Sequence, residues 1–213
     1  MDSSTQPIFS GDSRSLGRSL RTWRTLRRIK QAHAARLLGV SQATVSRWEN
    51  GQAPPAPDQA QRLRSLLAAR LDSAGDRVLA RLVQQSAAPV HLVCDLTHRL
   101  LAASPAREAQ FKVPTSQLLG ASLWRCASPD IVAAEARLAD LGWFGPQPPA
   151  VEFHTGARES DDLTILACHI RWVRLQLSDG SFVRLVESLP APSPHAAPPA
   201  SQSASACSEA HSR

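Results

Sequence analysis

The chain has 213 residues, with 24 basic side chains against 18 acidic, a net charge of +6, 43% hydrophobic residues and 20% charged ones. That length holds one domain or two small ones of about 100–200 residues, and the hydrophobic fraction excludes wholesale disorder. No apolar run approaches the ~20 residues of a membrane span and Met1 opens no signal segment, so the sequence predicts a cytoplasmic protein without a membrane partner.

Four scattered cysteines (Cys94, Cys126, Cys168 and Cys207) form no C-x-x-C pair, which suits free thiols in a reducing compartment. The charge is uneven along the chain. Residues 1–57 hold nine basic side chains against three acidic, residues 58–87 five against three, and residues 88–189 nine against eleven, while the tail is neutral. A basic N-terminal piece followed by a slightly acidic larger one predicts polyanion binding by the first.

In chain order, residues 1–13 are polar and aperiodic and read as a disordered arm. Leu16, Leu20, Trp23 and Leu26 then recur at helical steps, one apolar stripe on a helix whose other faces carry arginines. A second helix runs from Gln31 to Leu38, with Ala32, Ala35 and Leu38 on one side, and stops at Gly39. Ser41 caps a third, Gln42 to Glu49, with Val45 and Trp48 inward and Asn50-Gly51 closing it. Two helices joined by a short glycine-containing turn make a helix-turn-helix.

The run from Gln31 to Gly51, with Ala35 at the helix crossing, Gly39-Val40-Ser41 at the turn and the ending Ser46-Arg47-Trp48-Glu49-Asn50-Gly51, resembles the Cro/C1-type (lambda-repressor-like, XRE family) helix-turn-helix regulators. His33 departs from the acidic residue that family often carries on the outer face of the second helix. The resemblance implies an all-α DNA-binding domain over 14–72 and places Gln42, Ala43 and Arg47 at base-reading positions in the major groove. There Gln suits adenine, Arg guanine and Ala a thymine methyl. Gln31, Thr44, Ser46 and Asn50, with the cap Ser41, are implied as the remaining DNA-binding residues, placed for phosphates. Double-stranded DNA is the expected partner, and a homodimer is expected because one recognition helix reads few bases.

After Pro54-Pro55-Ala56-Pro57, the apolar stripe Leu63, Leu66, Leu67, Leu71, Ala74, Val78, Leu79, Leu82, Val83 outlasts what such a domain needs. Residues 73–88 therefore read as a connecting helix that either pairs with its twin in a dimer or packs on its own C-terminal domain. From Pro89 the pattern predicts a strand Val90–Leu96, a Thr97-His98 turn and a strand Arg99–Ala103. A helix capped at Ser104-Pro105 runs to about Phe111, and another from Ser128 to Leu141 turns Ile131, Ala134, Leu138 and Leu141 inward. Strands at Ala150–His154, Thr164–Ser178 and Ser181–Ser188 end the unit, the last two joined at Asp179-Gly180.

This is an α+β plan over 89–189. The stretches Leu100 to Ala106, Leu119 to Trp124 and Ser178 to Glu187 resemble the PAS domain, a sensor or dimerisation module, so the fold class is an all-α helix-turn-helix domain followed by an α+β PAS-like domain. Candidate ligand contacts are Cys94, His98, Trp124, Trp143, His154, Cys168 and His169, with Trp124, Trp143 and Trp172 read as core. No catalytic residue, metal ligand or cofactor is assigned; a small molecule or haem in the C-terminal domain stays open, although no haem-attachment spacing is present. Residues 190–213, rich in Pro, Ala and Ser, read as a disordered tail that leaves Cys207 exposed.

The sequence thus predicts a DNA-binding transcriptional regulator. An antitoxin-like protein whose C-terminal domain binds a partner is the alternative. No enzyme is expected: Ala74-Gly75 mimics the dipeptide at which phage-type repressors cleave themselves, but only Lys30 and Lys112 are available and no serine motif accompanies them.

Overall fold

The first helix of the computed structural model, α1, spans Ser10–Leu26. The structure describes residues 10–189, with side chains from Leu16 onward. The helix therefore begins inside the stretch expected to be an arm, while the remainder of that arm, the C-terminal tail and Cys207 lie outside the described residues.

Leu16, Leu20 and Trp23 of α1 are buried, as their spacing requires, against α2 (Gln31–Leu38), α3 (Gln42–Glu49) and α4 (Pro57–Leu67). Ala34 and Ala35 bring α2 close to its neighbours, whereas Ala32, expected on the inner side, is exposed. The inner face of α2 is centred on 34, 35 and 38. Gly39 takes φ +68° at the end of α2, which permits the turn into Ser41. Val45, Trp48, Ala60, Leu63 and Leu67 complete the core.

Where α1 crosses the end of α3 a side chain has no room. A Cβ on Gly17 would stand 2.0 Å from the Trp48 carbonyl oxygen. Arg24 on α1 grips the Glu49 carboxylate with Nε at 2.9 Å and Nη2 at 2.8 Å, and donates through Nη1 to the Ile29 carbonyl. One guanidinium thus joins α1, the end of α3 and the approach to α2.

The connecting helix α5 (Ala74–Gln84) packs on its own C-terminal domain, which settles where its inner face goes. Ala80 and Val83 meet Val90, Leu92 and Cys94 of β1 (Val90–Cys94) and Ala102 of β2 (Leu100–Ala103). Val78 and Leu82 stay exposed on the other face. Asp76 completes a capping box with Ser73 and accepts bonds from the backbone N and Oγ of Ser178, 102 residues away. These bonds, the Ser178 hydroxyl first, hold its carboxyl down at about 2 although burial opposes them.

Short elements follow: α6 (Pro105–Glu108), α7 (Thr115–Leu118), a 3₁₀ turn (Leu123–Cys126) and α8 (Pro129–Ala136). Then come β3 (Val151–Thr155), β4 (Arg158–Glu159), β5 (Thr164–Ile165), β6 (Cys168–Gln176) and β7 (Phe182–Leu189). The main sheet is antiparallel, ordered β2-β1-β7-β6-β3, with β4 and β5 forming a separate ribbon. The strand expected at 164–178 therefore divides: its first two residues pair with β4 and the chain breaks before Cys168.

The helix expected to reach Leu141 stops after Ala136, and Gly142 at φ +74° redirects the chain. Leu138 remains buried because that turn folds back on the core, but Leu141 is 39% exposed. All five residues of β1 are buried, since α5 covers one face and the domain interior the other. Val90, Leu92 and Cys94 point toward α5, while His91 and Val93 face inward with Arg184 and Val186 of β7 and Ile170 and Trp172 of β6.

Candidate nucleic-acid interface and interior cavity

The N-terminus of α3 is built by Ser41. Its backbone is extended and its Oγ accepts from the Thr44 N–H at 3.1 Å, with Thr44 Oγ1 at 2.9 Å. Val45 and Trp48 anchor the helix from below, so Gln42, Ala43, Arg47 and Asn50 are left exposed, with Thr44 and Ser46 half-buried beside them. Arg47 rests its Nε 3.4 Å from the Ala43 carbonyl, and Asn50 lies 3.5 Å from Ser46 Oγ. These contacts are long or exposed and leave both polar groups able to turn to another partner.

Gln31 is the exception among the expected DNA-binding residues. Its amide donates to Glu49 Oε2 at 3.0 Å, which ties the start of α2 to the end of α3. Burial would raise the Glu49 carboxyl, but the Arg24 and Gln31 hydrogen bonds outweigh it and hold it below the ordinary range. The fixed charge thus braces the start of α2 and the end of α3 against α1. Sequence reasoning gave Glu49 only a helix-ending role; the arginine one turn from the end of the first helix was the available signal.

In the second domain the expected ligand contacts scatter. His98, Trp124 and Cys168 line a common interior cavity of about 70 Å³. Cys94 points away from it, accepting from the Ala69 N–H at 3.3 Å and donating to the Leu67 carbonyl at 3.5 Å. Trp143 is fully buried core and donates to Asp95 at 3.1 Å. His154 and His169 face each other across β3 and β6, with Nε2 and Nδ1 3.4 Å apart, and His169 also meets Glu152 at 2.9 Å. Trp124, expected as core, is half-buried and stacks on His98 at 4.6 Å.

Below the cavity lies an ion network that the strand alternation did not reveal. Asp95 accepts from Arg174 Nε at 2.9 Å and from Arg184 Nη2 at 2.8 Å, all three side chains being buried, and Arg184 also reaches Glu135 at 2.5 Å. Arg174 lies 3.5 Å over the Phe182 ring and Arg184 4.4 Å over Trp172. Burial pushes against the Glu135 carboxylate, yet the Arg184 charge holds its pKa at about 2. His98, at φ +54°, brings Nε2 to 3.4 Å from Glu135.

Also lining the cavity, and missed from sequence, are His91, Arg107 and Cys126. Among the described residues no group of three or more His, Cys, Asp or Glu is placed to hold a metal ion, and no helix is long and apolar enough to cross a membrane.

The two domains touch. Ser19 Oγ donates to the Leu96 carbonyl at 3.2 Å, Leu96 packs on the helical core, and Arg27 Nη2 donates to the Asp179 carbonyl at 3.1 Å.

Residues 15–74 match a family described as a helix-turn-helix domain. No curated protein matches the chain. Among solved structures, the PAS domain of an HTR-like protein from Haloarcula marismortui is 18% identical, over 54% of this chain and 96% of that one, at a TM-score of 0.37. The PAS domain of Bordetella pertussis BvgS is 11% identical over 55% and 86%, at 0.36. An RNA-binding light-oxygen-voltage receptor is 12% identical over 85% and 60%, at 0.38. The chain therefore carries a helix-turn-helix domain, and the domain that follows it is α+β, a five-stranded antiparallel sheet ordered β2-β1-β7-β6-β3 with short helices between β2 and β3.

Proposed function

We propose that the chain is a sequence-specific, dimeric, cytoplasmic regulator of transcription that lays α3 in the major groove of double-stranded DNA and uses its second domain to sense a signal. The observation that carries this reading is the N-capped, core-anchored α3, which presents Gln42, Ala43, Arg47 and Asn50 together to solvent within the most basic part of the chain. Gln and Arg side chains can make bidentate contacts to adenine and guanine, each worth about 1–3 kcal/mol of discrimination. Thr44, Ser46 and the helix N-terminus at Ser41 are placed for phosphates, as is Gln31 through whatever bonding capacity Glu49 leaves it. The exposed Val78 and Leu82 on α5 offer a face for a second copy, which two half-sites would require.

The protein is read as non-catalytic. Ala74 and Gly75 form the first turn of α5, and Lys112 is ion-paired with Glu159.

Genome-wide mapping of bound sites, followed by gel-shift titration of a recovered site against scrambled DNA at several salt concentrations, tests the proposal. Affinity should fall steeply with salt. Arg47→Ala should cost about 1–3 kcal/mol at one base step and relax preference there. Equal weakening on all sequences would remove Arg47 from base reading, and salt-independent binding without sequence preference would overturn the regulator reading.

A further inference from the structure

Arg107 is buried, 8% exposed, in a cavity whose other walls are mostly apolar: Val93, Leu123, Ile131, Leu163, Ile165 and Ile170. Its Nη1 donates to Gln110 Oε1, and its Nε finds no partner among the described residues. His91, 6% exposed, lines the same cavity with Nδ1 equally unpartnered. Buried polar groups are nearly always satisfied, and a buried charge without a counter-ion is costly. Two such groups on one wall therefore need an occupant that supplies acceptors and negative charge.

We propose that this cavity binds a small organic monocarboxylate with an apolar body, its carboxylate on Arg107 and His91 and its body against the aliphatic wall. The proposal deepens the sensing role proposed above by naming the class of signal, and rests on that role only for its biological meaning.

The charge count selects a monoanion. Burial lowers Arg107 to about 10, which leaves it a cation at neutral pH. Burial first, and the Arg107 charge second, hold His91 well below its ordinary range, so it adds a donor or acceptor but no charge. Arg184 reaches the cavity already neutralised by Asp95 and Glu135. One uncompensated cation suits one carboxylate, and a planar guanidinium matches its geometry. A phosphate dianion would leave excess negative charge among aliphatic side chains. At about 10–15 Å³ for each water held, a volume of about 70 Å³ holds several waters or the body of a small acid.

The test is calorimetric titration and thermal shift of the full chain with acetate, butanoate, benzoate, benzamide and inorganic phosphate. Butanoate or benzoate should bind and raise Tm; acetate should bind more weakly because it leaves the apolar wall uncovered. Benzamide and phosphate should not bind. Arg107→Met should lower carboxylate affinity by about 10- to 100-fold, and Arg107→Lys should retain part of it.

The unliganded Arg107→Met protein should be at least as stable as wild type, since the change removes an unpaired buried charge. Should that variant fail to fold, the benzoate and benzamide comparison on wild type still decides. The proposal is overturned if neither butanoate nor benzoate binds, if benzamide matches benzoate, or if folded Arg107→Met retains full affinity. Gel shifts without ligand are read separately: carboxylate binding by a protein that ignores DNA sequence would sink the regulator reading and leave this one standing.

Discussion

Gly17 sits where α1 crosses the end of α3 with no room for a side chain, and replacing it with alanine tests that packing directly. The new Cβ would lie 2.0 Å from the Trp48 carbonyl oxygen, 2.7 Å from its carbon and 3.4 Å from the Glu49 nitrogen. Ordinary contact begins near 3.4 Å, so α1 and α3 must separate by roughly 1.4 Å. The obstructing atoms belong to backbone and cannot rotate aside.

Overpacking a close-fitted core costs about 1–3 kcal/mol, and an unyielding neighbour places Gly17→Ala toward the upper end. Alanine's better helix propensity returns about 1 kcal/mol. The net loss is therefore about 1–2 kcal/mol, a Tm lower by about 2–8 °C. Gly75→Ala is the internal control, because there a Cβ would meet only Ser73 Oγ at 3.7 Å, and it should gain up to about 1 kcal/mol. Thermal melts by circular dichroism compare the two, and operator affinity should fall only for Gly17→Ala, whose strain lands on the end of α3. A Gly17→Ala protein melting at or above wild type would refute the tight crossing.

Asp95→Ala should destabilise by about 3–5 kcal/mol, read by urea titration, because it strands Arg174 in the interior and leaves Arg184 only Glu135; a midpoint unchanged from wild type would show that the pair is solvated. Glu135, held at about 2 against an ordinary 4.5, contributes stability that is fully present above about pH 4.5 and is lost as pH falls toward 2. The stability gap between wild type and Glu135→Gln, on the order of 2–3 kcal/mol at pH 7, should therefore close across that window, and a gap that persists at pH 2 would contradict the assignment. Asp76→Ala removes the bond from the Ser73 N–H, one half of the capping box, together with the bonds from Ser178, so amide exchange along α5 should accelerate while exchange in α3 is unchanged.

The helix-turn-helix was legible because its determinants are local. Apolar spacing in α1, the Ser41 cap and the left-handed Gly39 each act within one or two turns, and each appears at its expected place. Gly17 was not legible, since its role is defined by a backbone 31 positions away. The same division holds in the second domain. Most strand positions follow from period-two alternation, and the last hairpin from the Asp179-Gly180 turn, but the break before Cys168, the strand order and the second covered face of β1 do not. Read alone, His91 and Asp95 looked like the polar side of a half-exposed strand. The α5 helix covers Val90, Leu92 and Cys94, and His91 and Asp95 thereby become interior groups needing partners. Arg107 escaped notice for a related reason: α6 is four residues long, too short for periodicity to separate its inner from its outer side.

The segment from Val93 to His98 shows how closely the two domains are joined. Val93 lines the cavity, Asp95 is clamped by two buried arginines, Leu96 packs on the helix-turn-helix core and accepts from Ser19, and His98 returns to the cavity against Trp124 and Glu135. Six residues thus enter the interior, leave it to touch the helix-turn-helix domain and enter it again. Asp95 and Thr97 are buried on either side of Leu96, and the His98 N–H donates to the Cys94 carbonyl at 2.8 Å, closing the turn. Such a turn has little slack. His98, which stacks on Trp124 and meets Glu135 at the cavity, is thus two residues from Leu96, which rests on the same helical core that holds Leu16 and Leu20 of α1 and Val45 and Trp48 of α3.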